Sequence, residues 1–262
     1  MILDGKKLAA EILARVSARA VSLAHPPLVV ALVGEESAAT KSYLKIKQAR
    51  AADAGCVLEV RPLGSSFDDA DAALAQLPLP ESVDVQSVLD SIPRAKDADV
   101  LSDAARTAFE LSEPGALLPP VVGAVVEILK GVPLAGRRAA VVGNGFLVGA
   151  PVATWLRQQG AAVTVLDIDS KPEDFIAALR AADVVVSGAG KANLITPELI
   201  KEGVVLIDAG TSESGGVVVG DANPACAAKC SLFTPVPGGV GPIAVAKLFE
   251  NAVELASRRT VA

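Results

Sequence analysis

Aromatic residues are scarce in this chain of 262 residues: they make up 3% of the sequence, with a single tryptophan and a single tyrosine. Proteins that hold unpaired bases use aromatic rings together with clustered positive charge. This chain has no run of lysine and arginine, and its net charge is −6. We therefore expect no nucleic-acid partner. Its apolar runs stop short of the roughly 18 residues that cross a bilayer, so we also expect no membrane segment.

Cysteine is rare as well. The three cysteines, Cys56, Cys226 and Cys230, are an odd number in a chain large enough to form a core without disulfides. We expect reduced thiols in a cytoplasmic protein, in keeping with an N-terminus that lacks the apolar stretch of a signal peptide. Cys226 and Cys230 have helical spacing, but no further ligands cluster near them in the sequence, so no metal site is predicted.

Apolar residues are abundant, at 51% of the sequence, and short β-branched runs alternate with stretches of helical periodicity. That alternation predicts an α/β fold with a parallel sheet and right-handed crossovers. The predicted strands are Leu28–Val33, Val57–Arg61, Ala139–Val142, Ala162–Leu166, Val184–Val186 and Val204–Ile207, with Val217–Val219 as an edge strand. The predicted helices are 6–24, Ser42–Ala54, Asp68–Ala75, Val148–Gln159, Pro172–Ala181, Pro197–Lys201 and, after a loop at Thr234–Pro242, Ile243–Arg258.

A glycine-rich segment joins the predicted strand 139–142 to the predicted helix 148–159, in the spacing of a dinucleotide-binding loop. Its residues are Gly143, Asn144, Gly145 and Gly149. Glycine permits the tight turn and lets the backbone approach a pyrophosphate closely. The next predicted strand is followed by Asp167 and Asp169, and a carboxylate there accepts hydrogen bonds from ribose hydroxyls and repels a 2′-phosphate. We predict NADP or NAD as the cofactor, with a preference for NAD; the alternative is an ordinary strand–helix turn.

Two proline-rich segments are the most distinctive motifs of the chain. They are Gln76-Leu77-Pro78-Leu79-Pro80 and Thr234-Pro235-Val236-Pro237-Gly238-Gly239-Val240-Gly241-Pro242. Further motifs are Asp4-Gly5-Lys6, Tyr43-x-x-x-Lys47, Lys96-Asp97-Ala98-Asp99, Val148-Gly149-Ala150-Pro151 and Ala189-Gly190-Lys191. In this order they resemble the signatures of the bifunctional methylenetetrahydrofolate dehydrogenase/methenyltetrahydrofolate cyclohydrolase family, and the resemblance extends from the N-terminus to Asn251.

The resemblance implies two α/β domains. An N-terminal folate-binding catalytic domain would occupy residues 1–117, and a Rossmann-like nucleotide-binding domain with a parallel sheet would occupy 118–242. A C-terminal helix at 243–262 would pack back onto the first domain. The implied activities are oxidation of methylenetetrahydrofolate by hydride transfer to a nicotinamide and hydrolysis of the methenyl product to formyltetrahydrofolate. The resemblance also implies a homodimer formed through the nucleotide domain.

The resemblance further implies roles for individual residues. Lys47 matches a catalytic lysine, Gln76 a glutamine that hydrogen-bonds it, and Tyr43 a ring that packs against the substrate. Asp99 matches the acid that pairs with the pterin, and Asp97 is the competing candidate. The other implied contacts are Gly238, Gly239 and Pro242 for the substrate and Gly190 for the cofactor. From spacing alone, Lys47 would be assigned to a solvated helix face.

The sequence departs from the family pattern near the proposed site. The stretch before Gln76 is shortened, Val100 replaces a glycine, and the segment 118–123 lacks the family's cysteine and threonine. Two basic residues of the family pattern are Asn144 and Asp169 here, which supports the preference for NAD. Two other functions remain open: a catalytically silent paralogue that binds nucleotide, and a related Rossmann dehydrogenase that acts on another small metabolite.

Overall fold

The computed structural model describes residues 1–34, 38–214 and 217–261. The chain divides into two compact units. Ala9–Pro120 and Val245–Ala262 form one, called here the three-stranded unit; Met1–Leu8 and Val121–Ala244 form the other, called the five-stranded unit. Each is named after its parallel sheet. Within the described ranges, we find no helix with the length and apolar character needed to cross a membrane.

These units differ from the expected domain limits of 1–117, 118–242 and 243–262. Residues 1–8 lie with the five-stranded unit because the N-terminal segment extends its sheet: Ile2 pairs in parallel with Phe233, and the Leu3 amide donates to the Phe233 carbonyl at 2.8 Å. The change of unit falls after Pro120 and after Ala244. Ala262, the last residue of the expected helix, lies outside the described residues.

The three-stranded unit surrounds a small parallel sheet with the order β2-β1-β3. Its strands are β1 (Leu28–Val33), β2 (Val57–Pro62) and β3 (Ala72–Gln76). Its helices are α1 (Gly5–Ala20, which starts in the five-stranded unit), α2 (Ala38–Asp53), α3 (Val85–Asp90), α4 (Asp103–Glu110) and most of α8 (Val240–Val261). β1 is central, and its continuous apolar run matches its burial: five successive side chains, which alternate between the two faces of the sheet, are buried.

The segment 68–75, predicted as a helix, is instead a turn followed by β3. All five residues of β3 are buried, and β3 pairs with β1 from Val29↔Ala72 to Val33↔Gln76. The Asp71 carboxylate accepts the Leu28 amide at 2.9 Å at the entrance to the strand. Alanine favours helices when it is exposed, but here small side chains fit a tightly covered strand, so pairing and burial outweigh propensity.

The five-stranded unit contains an all-parallel sheet in the order β10-β7-β6-β4-β5. Its strands are β4 (Arg138–Val142), β5 (Ala162–Leu166), β6 (Val184–Ser187), β7 (Val205–Asp208) and β10 (Leu232–Phe233). Its helices are α5 (Pro120–Ile128), α6 (Gly149–Gln158) and α7 (Pro172–Ala181). The chain leaves β4 toward β5 on one side and returns to β6 on the other. In open parallel sheets, ligands bind at the carboxyl ends of the strands where the strand order reverses in this way.

Three predictions for this unit are wrong. Pro197–Lys201 is not an α-helix but a single 3-10 turn, Pro197–Leu199. Val217–Val219 (β9) does not join the parallel sheet; it pairs antiparallel with β8 (Ser212–Ser214). The expected loop 234–242 ends early because α8 begins at Val240. Pro242 therefore lies in the first turn of α8, where a backbone amide has no partner within the helix and its absence costs no hydrogen bond.

Candidate active site

A lysine and a glutamine meet in the three-stranded unit. Lys47 lies on α2, and Gln76 is the last residue of β3. The Lys47 Nζ donates to the Gln76 Oε1 at 2.9 Å, while the Gln76 Nε2 donates to the Leu77 carbonyl at 2.7 Å. The second hydrogen bond fixes the orientation of the buried Gln76 amide, so its oxygen faces the lysine. Lys47 is therefore held in place and is not a freely solvated helix-surface lysine.

Asp99 is the charged neighbour of this lysine. Desolvation lowers the pKa of Lys47 below its ordinary value, and the charge of Asp99 opposes that shift. Desolvation raises the pKa of Asp99. The Lys47 charge partly offsets this upward shift, and the Asp97 charge adds to it. Two opposite charges in a poorly solvated place thus stabilise one another while each is driven toward its neutral form.

The Asp97 carboxylate, in contrast, is hydrogen-bonded to the loop that follows it. It accepts the amides of Val100 at 2.8 Å, Leu101 at 3.0 Å and Ser102 at 2.8 Å, and also the Ser102 hydroxyl at 2.7 Å. Both oxygens are therefore occupied by the protein's own donors, and the side chain is buried. Asp97 holds the loop that carries Asp99, which leaves Asp99 as the acid available to a ligand.

Tyr43 lies one helical turn before Lys47 on α2, so the two side chains project from the same side of the helix. Its ring is 52% exposed, which makes it available to a ligand and not a component of the core.

Asn251 is a residue of this unit to which the sequence analysis assigned no role. It lies on α8, it is buried, and its Nδ2 donates to the carbonyls of Ala98 and Leu118, both at 2.9 Å. One amide therefore ties the backbone next to Asp99 to the segment that precedes α5. An asparagine within an apolar helical pattern is the only sign of this in the sequence.

In the five-stranded unit, the glycine-rich loop connects β4 to α6. Gly143 has φ of +89°, and a Cβ on Gly149 would lie 1.8 Å from the Gly143 carbonyl oxygen, so both positions require glycine. A Cβ on Gly145, in contrast, would meet no atom within 4 Å, and Asn144 beside it is exposed. Val148, which precedes α6, supplies no side-chain cap. Open space beside an uncapped helix N-terminus fits a pyrophosphate.

Asp167 and Asp169 follow β5, the neighbour of β4. The Asp167 Oδ1 accepts the Asp169 amide at 3.1 Å and the Ser170 hydroxyl at 3.2 Å, which closes a turn. Both aspartates are exposed beside the carboxyl end of β4, where the glycine loop begins. The two parts of the predicted cofactor site therefore lie on adjacent strands.

The other predicted site residues also lie in the five-stranded unit. Gly190 is exposed in the loop that follows β6. Gly238 and Gly239 lie in the turn between β10 and α8, and Pro242 lies in the first turn of α8. Lys47, Gln76, Asp99 and Tyr43 all belong to the three-stranded unit.

All three cysteines are free and buried. Among the described residues, we find no group of three or more histidine, cysteine, aspartate or glutamate side chains placed to hold a metal ion.

The chain is similar to proteins of known family. Residues 119–260 match the family model described as tetrahydrofolate dehydrogenase/cyclohydrolase, NAD(P)-binding domain. Among curated relatives, "Bifunctional protein FolD" of Moorella thermoacetica is 36% identical over 279 residues, which cover 98% of this chain and 99% of the relative. The protein of the same name from Geotalea uraniireducens is 37% identical over 281 residues, with the same coverage.

Solved structures agree with these relatives. The bifunctional methylenetetrahydrofolate dehydrogenase/cyclohydrolase FolD from Campylobacter jejuni superposes with a TM-score of 0.93 at 30% identity and covers 99% of both chains. The Trypanosoma brucei methylenetetrahydrofolate dehydrogenase-cyclohydrolase, solved with NADP and an inhibitor, has a TM-score of 0.92 at 29% identity and covers 100% of this chain and 99% of that one.

Val100, next to Asp99, generates a prediction about stability. It is buried and has φ of +57°, a conformation that costs a non-glycine residue about 1–2 kcal/mol. We expect Val100→Gly to be at least as stable as Val100→Ala in urea unfolding, because relief of strain offsets the lost methyl group and the added chain entropy. At Val30, a buried residue of β1, glycine should be less stable than alanine by about 1 kcal/mol or more. An equal deficit for glycine at both positions would contradict the strain at Val100.

Proposed function

Because the chain belongs to the tetrahydrofolate dehydrogenase/cyclohydrolase family, we propose that it oxidises methylenetetrahydrofolate to methenyltetrahydrofolate with a nicotinamide dinucleotide and hydrolyses the methenyl product to formyltetrahydrofolate. The hydrogen bond from Lys47 to Gln76 beside Asp99 is the observation that carries this proposal. These three residue types meet where a folate ring could be held by one side chain and attacked by water next to another.

The hydrolysis requires a water molecule to attack the bridging carbon of a cationic substrate and a proton to move before the ring opens. A lysine assists only in its neutral form. Desolvation lowers the pKa of Lys47, which increases its neutral fraction at physiological pH. The Gln76 oxygen accepts a hydrogen from the Lys47 Nζ, so the lone pair of the neutral amine points away from Gln76 and stays available to a proton of the attacking water.

Two further side chains hold the folate in this proposal. The Asp99 carboxylate offers two acceptor oxygens to two adjacent donors of the pterin, a paired geometry that selects this ring. The exposed ring of Tyr43 packs against the aromatic part of the substrate. Together they place the bridging carbon within reach of Lys47, which lies one helical turn from Tyr43.

A nicotinamide dinucleotide supplies the hydride acceptor when it is bound. The open position at Gly145 and the amide groups at the start of α6 hold the pyrophosphate, and Asp167 accepts hydrogen bonds from the ribose hydroxyls. Gly190, Gly238, Gly239 and Pro242 provide backbone surfaces for cofactor and substrate. Exposed carboxylates at Asp167 and Asp169 repel a 2′-phosphate, so we propose a preference for NAD over NADP.

We also propose that the protein is a cytoplasmic homodimer. The three buried free thiols suit a reducing compartment. In the five-stranded sheet, β5 is an edge strand with Ala162 and Thr164 exposed, and an edge of this kind is open to pairing with a second copy. Light scattering should give twice the chain mass; the mass of one chain would contradict the dimer.

A turnover assay tests the two activities separately. With methylenetetrahydrofolate and NAD or NADP, we expect nucleotide reduction without lasting accumulation of the methenyl form. Reduction with persistent methenyl product would leave a dehydrogenase alone. No reduction with either nucleotide, in a folded protein that binds nucleotide, would favour the silent paralogue. That alternative is suggested by the segment 118–123, which lacks the cysteine and threonine of the family pattern. Reduction with another small metabolite only would favour a related dehydrogenase.

Lys47→Met tests the division of roles. We expect loss of hydrolysis by at least about a hundredfold, since general acid–base catalysis contributes about 10²–10⁴-fold, with much of the dehydrogenase activity retained because hydride transfer needs no proton from the lysine. Lys45→Met, an exposed change two residues away on α2, is the matched control and should alter neither rate. Equal loss of both activities in folded Lys47→Met would contradict the assignment.

The pH dependence of hydrolysis follows from the direction of the Lys47 shift. Because the neutral amine is the active form and desolvation lowers its pKa, the enzymatic rate should rise with pH and level off below about pH 10.4, the ordinary value for lysine. After subtraction of the uncatalysed reaction, a rate that falls as pH rises from 6 to 9 would oppose a neutral lysine. Lys47→Met should remove the ascending limb.

Asp169→Arg tests the basis of cofactor choice. Replacing a negative by a positive charge beside the ribose should raise kcat/KM for NADP relative to NAD by about tenfold, the order expected for one charge-assisted hydrogen bond. Asp174→Arg in the first turn of α7 makes the same charge change at another exposed position. If both variants change the NADP/NAD ratio equally, or neither does, the local role of Asp169 is wrong.

A further inference from the structure

Two buried aspartates of the five-stranded unit have no part in the chemistry described above. Asp208 ends β7, and Asp221 follows β9. Their side chains are almost inaccessible, at 1% and 0% exposed. Buried carboxylates are costly unless donors satisfy them, so their partners indicate what they do.

Asp221 accepts its hydrogen bonds from the loop that follows β6. Its Oδ2 accepts the Ser187 hydroxyl at 2.6 Å and the Ala189 amide at 2.7 Å, and its Oδ1 accepts the Lys191 amide at 2.7 Å. Three short bonds from one carboxylate thus fix both ends and the middle of the segment 187–191, called here the β6 loop. Ionised acceptors make stronger hydrogen bonds than neutral ones.

The β6 loop in turn touches the glycine-rich loop. A Cβ on Gly143 would lie 2.9 Å from the Gly188 carbonyl oxygen and 3.0 Å from the Ala189 Cα. A Cβ on Gly188 would lie 2.5 Å from the Val148 side chain, and the Gly188 amide donates to the Val142 carbonyl at 2.9 Å. The β6 loop therefore lies against the backbone at the start of the glycine-rich loop, at Val142 and Gly143, and against the Val148 side chain at its other end.

Asp208 holds the backbone of Asp221 in place through hydrogen bonds. Its carboxylate accepts the backbone amides of Asp221 at 3.2 Å, Ala222 at 2.8 Å and Gly210 at 3.0 Å. Desolvation, with a smaller effect of the Asp221 charge, raises the pKa of Asp208 to about 6. At neutral pH Asp208 is therefore still mainly ionised and acts as an acceptor only.

We propose that Asp221 is a positioning residue for the dinucleotide site: it holds the β6 loop against the glycine-rich loop and so keeps the pyrophosphate cradle in its binding shape. This inference rests on the proposed function only in taking the ligand to be a nicotinamide dinucleotide. It predicts that loss of the Asp221 carboxylate weakens dinucleotide binding and leaves the hydrolysis of methenyltetrahydrofolate unchanged.

Asp221→Asn tests this because it keeps the shape of the side chain and turns one acceptor oxygen into a donor that faces amide or hydroxyl hydrogens. We expect the calorimetric Kd for NAD and for NADP to rise at least tenfold, with a matching rise in KM for the dinucleotide. Hydrolysis of methenyltetrahydrofolate, which needs no dinucleotide, should stay within twofold. Hydrogen exchange of the 187–191 amides should accelerate.

Asp183→Asn is the matched control. Asp183 precedes the amino end of the same strand, β6, where its carboxylate accepts the Arg138 amide at 2.9 Å and pairs with Lys201. It should lower stability without changing the Kd for the dinucleotide. Equal effects of both variants on Kd, an unchanged Kd in Asp221→Asn, or a loss of hydrolysis as large as the loss of dehydrogenase activity would each overturn the proposal.

Ser187→Ala decides the matter if Asp221→Asn fails to fold. It removes one of the three hydrogen bonds and should raise the Kd two- to fivefold; an unchanged Kd would overturn the proposal. A failure of the proposed function can be told apart from a failure of the role proposed for Asp221. A wild-type chain that binds dinucleotide but catalyses neither reaction would refute the proposed function, while the Kd values would still test Asp221.

Discussion

The parallel pairing of β3 with β1, from Val29 opposite Ala72 to Val33 opposite Gln76, decides where the reactive side chains of the three-stranded unit lie. It buries a run of small residues and ends the strand at Gln76, whose amide then meets Lys47. The opposite edge of β3 bonds to the segment that leads to Asp99: the Ala73 amide donates to the Lys96 carbonyl, and the Ala98 amide to the Ala73 carbonyl. One strand thus connects the lysine, the glutamine and the acid.

Carboxylates serve two purposes in this protein, and their hydrogen bonds separate them. Asp97, Asp208 and Asp221 are buried and accept three or more donors each, mostly backbone amides, so they give loops a defined shape. Asp99 lies beside a lysine instead, and Asp167 and Asp169 face solvent. Loops that carry a binding site need such internal anchors, because their own backbone groups lack the partners that a helix or strand would provide.

Predictions from local pattern succeeded where one periodicity dominated and failed where burial overrode it. Leu28–Val33, Ala162–Leu166 and Pro172–Ala181 form the expected elements with the expected bounds. The segment 68–75 is predicted as a helix, but pairing with β1 on one side and with the chain around Lys96 on the other makes its second half, from Ala72, a strand. Val217–Val219 has the composition of a sheet strand, yet its partner is the neighbouring β8. Strand partners are long-range facts that composition does not contain.

The glycine spacing, the acids after β5 and the motifs that contain Tyr43, Lys47, Gln76 and Asp99 can all be found in the linear chain, and the roles predicted for these four residues rest on the family resemblance. What the residue order alone does not show is why Asp97 and Asp99 differ, since Asp97 accepts the protein's own donors and Asp99 lies beside Lys47. Asp97 and Asp99 are two residues apart and chemically identical, as Asp208 and Asp221 are alike to any pattern. Only folding brings backbone amides to one carboxylate and a lysine to another, because hydrogen bonds and desolvation depend on neighbours distant in sequence.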